Sequence, residues 1–307
     1  MLRVGRLLVL FAAGLAAIVA TASVTAARSA GAAGGDLRAL EGVAFVVVCT
    51  FSHRAPDDPI VFPGKPGLSH GHTFFGNTAT DASSTPYGLR GGATTCDHAD
   101  DLGAYWIPTL LVEDRAVVPL DAKIYYRRAT LARVRAFPPG LAMIGGNSAS
   151  TSPQSLRITS WDCGDQGGVA PASSVPTCPD DRSRGLRLSV RFPDCWEGKH
   201  TDSADHHSHM AYSSAGTCPK THPVAVPSVT LVAQYPVTGA GRVELASQGQ
   251  FSGHGDFVNA WRQTRLAALV EYCLNALRRC RTRRRSSSCR AAGRAARPPR
   301  YSISSRS

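Results

Sequence analysis

The chain has 307 residues and a formal charge of +12, but eleven arginines and no acidic residue follow Glu271. The excess charge therefore belongs to the C-terminal end, and the body is close to neutral. A neutral body without a recognisable nucleic-acid module excludes specific nucleic-acid recognition. The absence of GxGxxG, P-loop and GxSxG patterns leaves nucleotide cofactors and serine-hydrolase chemistry without support.

In chain order, residues 1–27 read as a secretory signal peptide. Arg3 and Arg6 precede an apolar run from Leu7 to Ala20, and small residues around Ala26 supply a cleavage site. The run is short of the roughly 20 apolar residues that span a bilayer, and no later segment is apolar enough to do so. Residues 28–40 read as a flexible linker. The segment 41–280 is the expected single histidine-rich secreted domain. Strands are expected at VAFVVVCTF (43–51), YWIPTLLVE (105–113), VVPLDAKIYYR (117–127), GLRLSVRF (185–192) and SVTLVAQYPV (228–237). A helix is expected from Asp256 or Phe257 to about Leu277, with Trp261, Leu266, Leu269, Val270, Cys273, Leu274 and Leu277 near one face. Residues 281–307 form an expected disordered basic tail.

Nine cysteines in an exported chain imply disulfides. Pairing neighbours in sequence gives Cys49–Cys96, Cys163–Cys178, Cys195–Cys218 and Cys273–Cys280, with Cys289 left over. Seven residues of continuous helix advance about 10.5 Å, beyond disulfide reach, so the last pair requires the helix to end before Cys280. The expected fold is mainly β: a disulfide-stapled β-sandwich or jelly-roll-like domain with one C-terminal amphipathic helix.

Six of the ten histidines gather in three short knots: LSHGHTFFGN (68–77), DSADHHSHMAYS (202–213) and SGHGDF (252–257). His70 and His72 are two residues apart, as are His207 and His209, and His254 and Asp256. On an extended strand such pairs share a face, and two imidazoles on one face can converge on one ion. The expected metal ligands are His70, His72, His207, His209 and His53, holding a single transition metal, copper or zinc. His254, Asp256, Asp202 and Asp205 are the expected catalytic groups.

Carboxylates offer a second chemistry. Asp194, Glu197, Asp202 and Asp205 lie around Trp196 and Lys199, Asp256 adds another carboxylate, and a carboxylate pair at suitable spacing hydrolyses glycosidic bonds without a metal. Three functions fit these residues: a metal-dependent enzyme acting on extracellular polysaccharide or cell wall, a metal-free glycoside hydrolase, and a non-catalytic wall-carbohydrate-binding protein.

Eight motifs occur in order: F-x-x-x-C-x-F-S-H (45–53), HGHTFFGN (70–77), GGATTC (91–96), YWIPTL (105–110), FPDCW-x-GKH (192–200), DHHSHMAY (205–212), CPKTHP (218–223) and GHGDFVNAW (253–261). Together they resemble the domain of unknown function nineteen-ninety-six (DUF1996) family over about residues 41–280. The resemblance implies a secreted protein of the kind found in actinobacteria and filamentous fungi, where some fungal members carry carbohydrate-binding or wall-associated modules. It supplies no reaction.

Overall fold

The structure is a computed structural model, and it describes residues 37–164, 169–179 and 185–280. The expected signal peptide, the basic tail and Cys289 lie outside the described residues. The end of the expected linker does not: Leu37–Ala39 form a helical turn, with Leu40 N–H donating to the Leu37 carbonyl.

Two antiparallel sheets carry the fold. Six strands form the first: β1 (Ala44–Cys49), β7 (Asp121–Arg127), β9 (Thr159–Asp162), β10 (Arg187–Arg191), β14 (Ser228–Gln234) and β17 (Arg279–Cys280), in the order β17-β1-β7-β14-β10-β9. Only the short β17–β1 pairing is parallel. The second sheet runs β2 (Phe51–Ala55), β3 (His72–Gly76), β4 (Ala104–Pro108), β16 (His254–Val258) and β8 (Ala142–Gly146). The remaining strands form two small three-stranded sheets.

Alternating sequence explains the first sheet. β1 and β7 bury every second residue, so Phe45, Val47, Ile124 and Tyr126 face inward. They meet Phe75, Tyr105, Ile107, Met143 and Phe257 of the second sheet in one continuous core. The fold is thus a β-sandwich, mainly β as expected. A polar chain crosses this core. Trp261 Nε1–H donates to Tyr126 Oη at 2.9 Å, Tyr126 and Tyr105 share a 2.5 Å hydroxyl contact, and Tyr105 Oη–H donates to Asp101 Oδ2 at 2.8 Å. Asp101 is fully buried, and burial pushes its carboxyl up to about 8 against the lowering effect of the Tyr105 and Gly103 hydrogen bonds.

The second sheet differs. Strands β3, β4 and β16 are buried at every position. Their inner face joins the sandwich core. Their outer face carries Phe74, Ala104, Trp106 and Val258, packed with Ile60, Leu89 and Leu102 from the segments that cover the sheet. Outer-face polar groups are therefore sealed from bulk water.

All four sequence-neighbour disulfides are present. The expected helix starts too early: His254–Val258 is strand β16, and the α-helix covers only Gln263–Leu269 before a π-helical stretch, Val270–Asn275. Glycines at 253 and 255 disfavour a helix there, whereas a strand with β4 and β8 on either side buries Phe257 and Val258. The later end of the expected helix is close to the observed one. Leu277 turns the chain at a φ of 53°, so Cys280 lies 5.8 Å from Cys273 between Cα atoms. Among the described residues no helix is long and apolar enough to cross a membrane.

Candidate metal centre

The outer face of the second sheet can be read row by row from its register. Phe74 is opposite Trp106, and Trp106 is opposite Asp256, which is opposite Ile144. One row along, His72 is opposite Pro108. His254, two residues before Asp256, stands at the same level on the far side of Pro108. Pro108 has no N–H and ends the ladder there. A compact proline ring between the two imidazoles leaves room for them to converge. His70 precedes the strand instead of lying within it, and joins from the covering segment.

The three rings meet through the same atom. His70 Nε2 and His254 Nε2 are 3.2 Å apart, and His72 Nε2 and His254 Nε2 are 3.4 Å apart. The opposite nitrogens are anchored: His72 Nδ1 lies 2.9 Å from the Asp57 carbonyl and His254 Nδ1 2.9 Å from the Ser252 carbonyl. A carbonyl only accepts, so both Nδ1 atoms carry the proton and both Nε2 atoms present a lone pair. This backbone anchoring of the distal nitrogen is how ligand histidines are oriented.

Electrostatics oppose filling the cluster with protons. Burial first, then the His70 charge, holds His254 at about 4. Burial, with His70 and His254 adding to it, holds His72 well below the ordinary imidazole range, and burial also lowers His70. At neutral pH the rings are neutral, and the Nε2 lone pairs of His72 and His254 face each other at 3.4 Å. Asp256 is 1% exposed, with Oδ2 at 3.8 Å from His254 Nε2. Burial pushes its carboxyl well above the usual range, and the nearby Asp58 charge pushes it further. Asp58 accepts the N–H groups of Ile60 and Val61 and is raised by its own burial.

The other expected ligands lie elsewhere. His53 stacks on Phe74, with Nδ1 at 2.9 Å from Ser52 Oγ and Nε2 at 2.8 Å from the Thr80 carbonyl. His209 is buried, with Nε2 at 2.7 Å from the Ala142 carbonyl and Nδ1 at 2.9 Å from Ser203 Oγ. Both rings are committed to protein partners. His207 is exposed on the loop. Asp205 caps that loop by accepting from Ser203, His207 and Ser208, and these bonds hold its carboxyl well below the usual range. Asp202 pairs with His206. Asp194 is fully buried and accepts from Ser213 and Arg191; Glu197 accepts from His200. These carboxylates serve local structure, and only Asp256 stands beside the histidine cluster.

Sequence reasoning missed Trp106 and Ser69. Trp106 Nε1, Asp256 Oδ2 and Ser69 Oγ are buried without a hydrogen-bond partner among the described residues. No local pattern marks them, since their significance lies in cross-strand register. A polar cleft of about 510 Å³ is lined by Thr151, Arg242, Glu244, Gln248, Gln250 and Phe251 among others, and by none of the three cluster histidines. The loop bounding it runs on through Ser252 to His254, and its Ala246 N–H donates to the Thr109 carbonyl at 2.9 Å, against the strand that Gly71 adjoins.

A family model described as Domain of unknown function (DUF1996) matches residues 58–261, and the chain belongs to that family. Those bounds enclose His70, His72, Trp106, His254 and Asp256. Neither a curated protein nor a solved structure matches the chain.

Proposed function

We propose that this DUF1996 chain is a secreted protein that holds one transition metal ion, copper or zinc, on His70, His72 and His254 and acts on extracellular polysaccharide or cell wall. One observation carries the reading: three Nε2 atoms converge at 3.2 and 3.4 Å with two of their Nδ1 partners fixed on carbonyls. In a tetrahedral site with metal–nitrogen bonds of about 2.0–2.1 Å, the ligand nitrogens stand about 3.3 Å apart. Three neutral imidazoles leave a fourth position open, as catalytic sites do.

A metal so held supplies Lewis acidity and lowers the pKa of a coordinated water. The chain supplies the rest. Asp57 and Ser252 fix ring orientation through their carbonyls, the covering segments exclude water, and Asp256 places a carboxyl oxygen 3.8 Å from His254 Nε2. The polar cleft supports a hydroxyl-rich substrate. Its one lining cation, Arg242, is already paired with Asp114 and Glu244, so it offers no free charge to an anionic ligand. Four disulfides support export to an oxidising compartment.

The reading is tested by incubating the metal-loaded chain with insoluble wall polysaccharides and assaying soluble products. Release that stops on chelation and in the His70→Ala/His72→Ala variant is expected. Release that persists in chelator would assign the chemistry to carboxylates, and retention on the polymer without release would make the chain a binding protein.

A further inference from the structure

The chain has four tryptophans. Three of their indole N–H groups have identified acceptors. Trp161 donates to the Gln250 carbonyl at 3.1 Å, Trp196 to the His200 carbonyl at 2.6 Å and Trp261 to Tyr126 Oη at 2.9 Å. Trp106 Nε1 alone has none among the described residues, although Trp106 is 0% exposed. Its register partner on the same face is Asp256, whose Oδ2 is likewise buried and without a partner. A buried N–H and a buried carboxyl oxygen left unpaired are each unfavourable, because neither regains the hydrogen bond it lost on leaving water. Two such groups on adjacent positions, one row behind the converging imidazoles, are an unusual concentration. Ser69, next to His70 in the chain, adds a third unpaired buried oxygen.

We propose that Trp106 and Asp256 form a binding site for one small oxygen ligand, a water or a compact oxyanion, in the open position beside the three histidines. The inference rests on the metal reading and adds to it a ligand class and a positioning residue. The two side chains are complementary: an indole N–H only donates, whereas a carboxyl group accepts through its oxygens and, when it carries its proton, also donates to an oxyanion. A single oxygen between them can accept from Trp106 and, when it is a water, donate to Asp256. Neither orphaned atom faces bulk solvent, so the ligand enters as the side chains relax around the metal. Trp106 acts on the ligand and not as a metal ligand itself, since a neutral indole offers no lone pair. Hydrophobic packing alone does not account for its character. Phe74 stands next to it on the same row and meets the same apolar cluster without a polar atom.

The test uses the full chain loaded with zinc, with zinc content measured, and formate as the probe. Indole ¹⁵N–¹H correlations are followed during titration. One of the four indole resonances is expected to shift in proportion to formate bound, and that resonance is expected to be missing in Trp106→Phe. In that variant zinc content is expected to stay the same, while formate affinity falls about fivefold, the equivalent of one hydrogen bond of about 1 kcal/mol. Formate that binds without moving the Trp106 resonance overturns the proposal and leaves the metal reading standing. So does formate that fails to bind the zinc-loaded chain, and so does unchanged affinity in Trp106→Phe. A chain that takes up no zinc removes both. Should Trp106→Phe fail to fold, the wild-type titration still decides, because the other three indoles already have acceptors and serve as internal controls.

Discussion

Replacing His72 with alanine is expected to lower zinc affinity by about 100- to 1,000-fold while His53→Ala and His209→Ala leave stoichiometry unchanged. A four-ligand zinc site in a folding peptide is worth about 10–16 kcal/mol, so one ligand's share is roughly 3–4 kcal/mol. His72 is the ligand with the least freedom. It is 0% exposed, sits at the start of β3 and is anchored through Nδ1 to the Asp57 carbonyl. His53 and His209 belong to other histidine-bearing motifs, and each ring spends both nitrogens on Ser52 and Thr80, or on Ser203 and Ala142. Their loss is expected to lower the melting temperature and not the metal content. Competition titration against a chromophoric chelator gives affinity, and a melt of the apo chain separates binding from folding. Equal zinc affinity in His72→Ala would contradict the assignment.

The second large effect concerns the buried Asp101. Its folded pKa, about 8, lies above the ordinary carboxyl value of 3.8. Between those pH values the folded chain keeps the proton and the unfolded chain has lost it. The unfolded state therefore binds fewer protons, and stability falls as pH rises from about 4 to about 8, then levels off. Four pH units at about 1.4 kcal/mol each set an upper limit near 6 kcal/mol. Relaxation of the interior reduces this, and a loss of about 3 kcal/mol across the range is expected. Asp101→Asn is expected to remove that part of the slope. The amide oxygen still accepts from Gly103, and Tyr105 loses its carboxyl acceptor, so a constant cost of about 1 kcal/mol accompanies the change. Urea denaturation at several pH values measures both quantities. An identical slope in the two proteins would place the pH dependence elsewhere.

What the sequence disclosed follows from how each strand is buried. β1, β7 and β10 bury one face, so their residues alternate and are readable as strands. β3, β16 and β8 carry the candidate site or flank it and are rich in glycine and histidine. With both faces of β3 and β16 covered, alternation vanishes, and GHGDF was open to misreading as a helix start. The disulfides were legible because each joins sequence neighbours. The histidine knots marked His70, His72 and His254 as chemistry-bearing residues. Which knots meet was not legible. His72 and His254 are brought together by the placement of β4 between β3 and β16, a register fixed by pairing far apart in sequence. The same pairing sets Trp106 beside Asp256. The 202–213 knot is directed away by its own turn chemistry, in which Asp205 caps the loop and Asp202 engages His206.

The most direct measurement is the elemental metal content of the full chain, purified without a histidine tag from an oxidising host and dialysed after exposure to copper and zinc. About one copper or zinc ion per chain, absent from His70→Ala/His72→Ala, is the result expected of a three-imidazole centre. No retained metal in the wild-type chain, or equal retention in the variant, would contradict it.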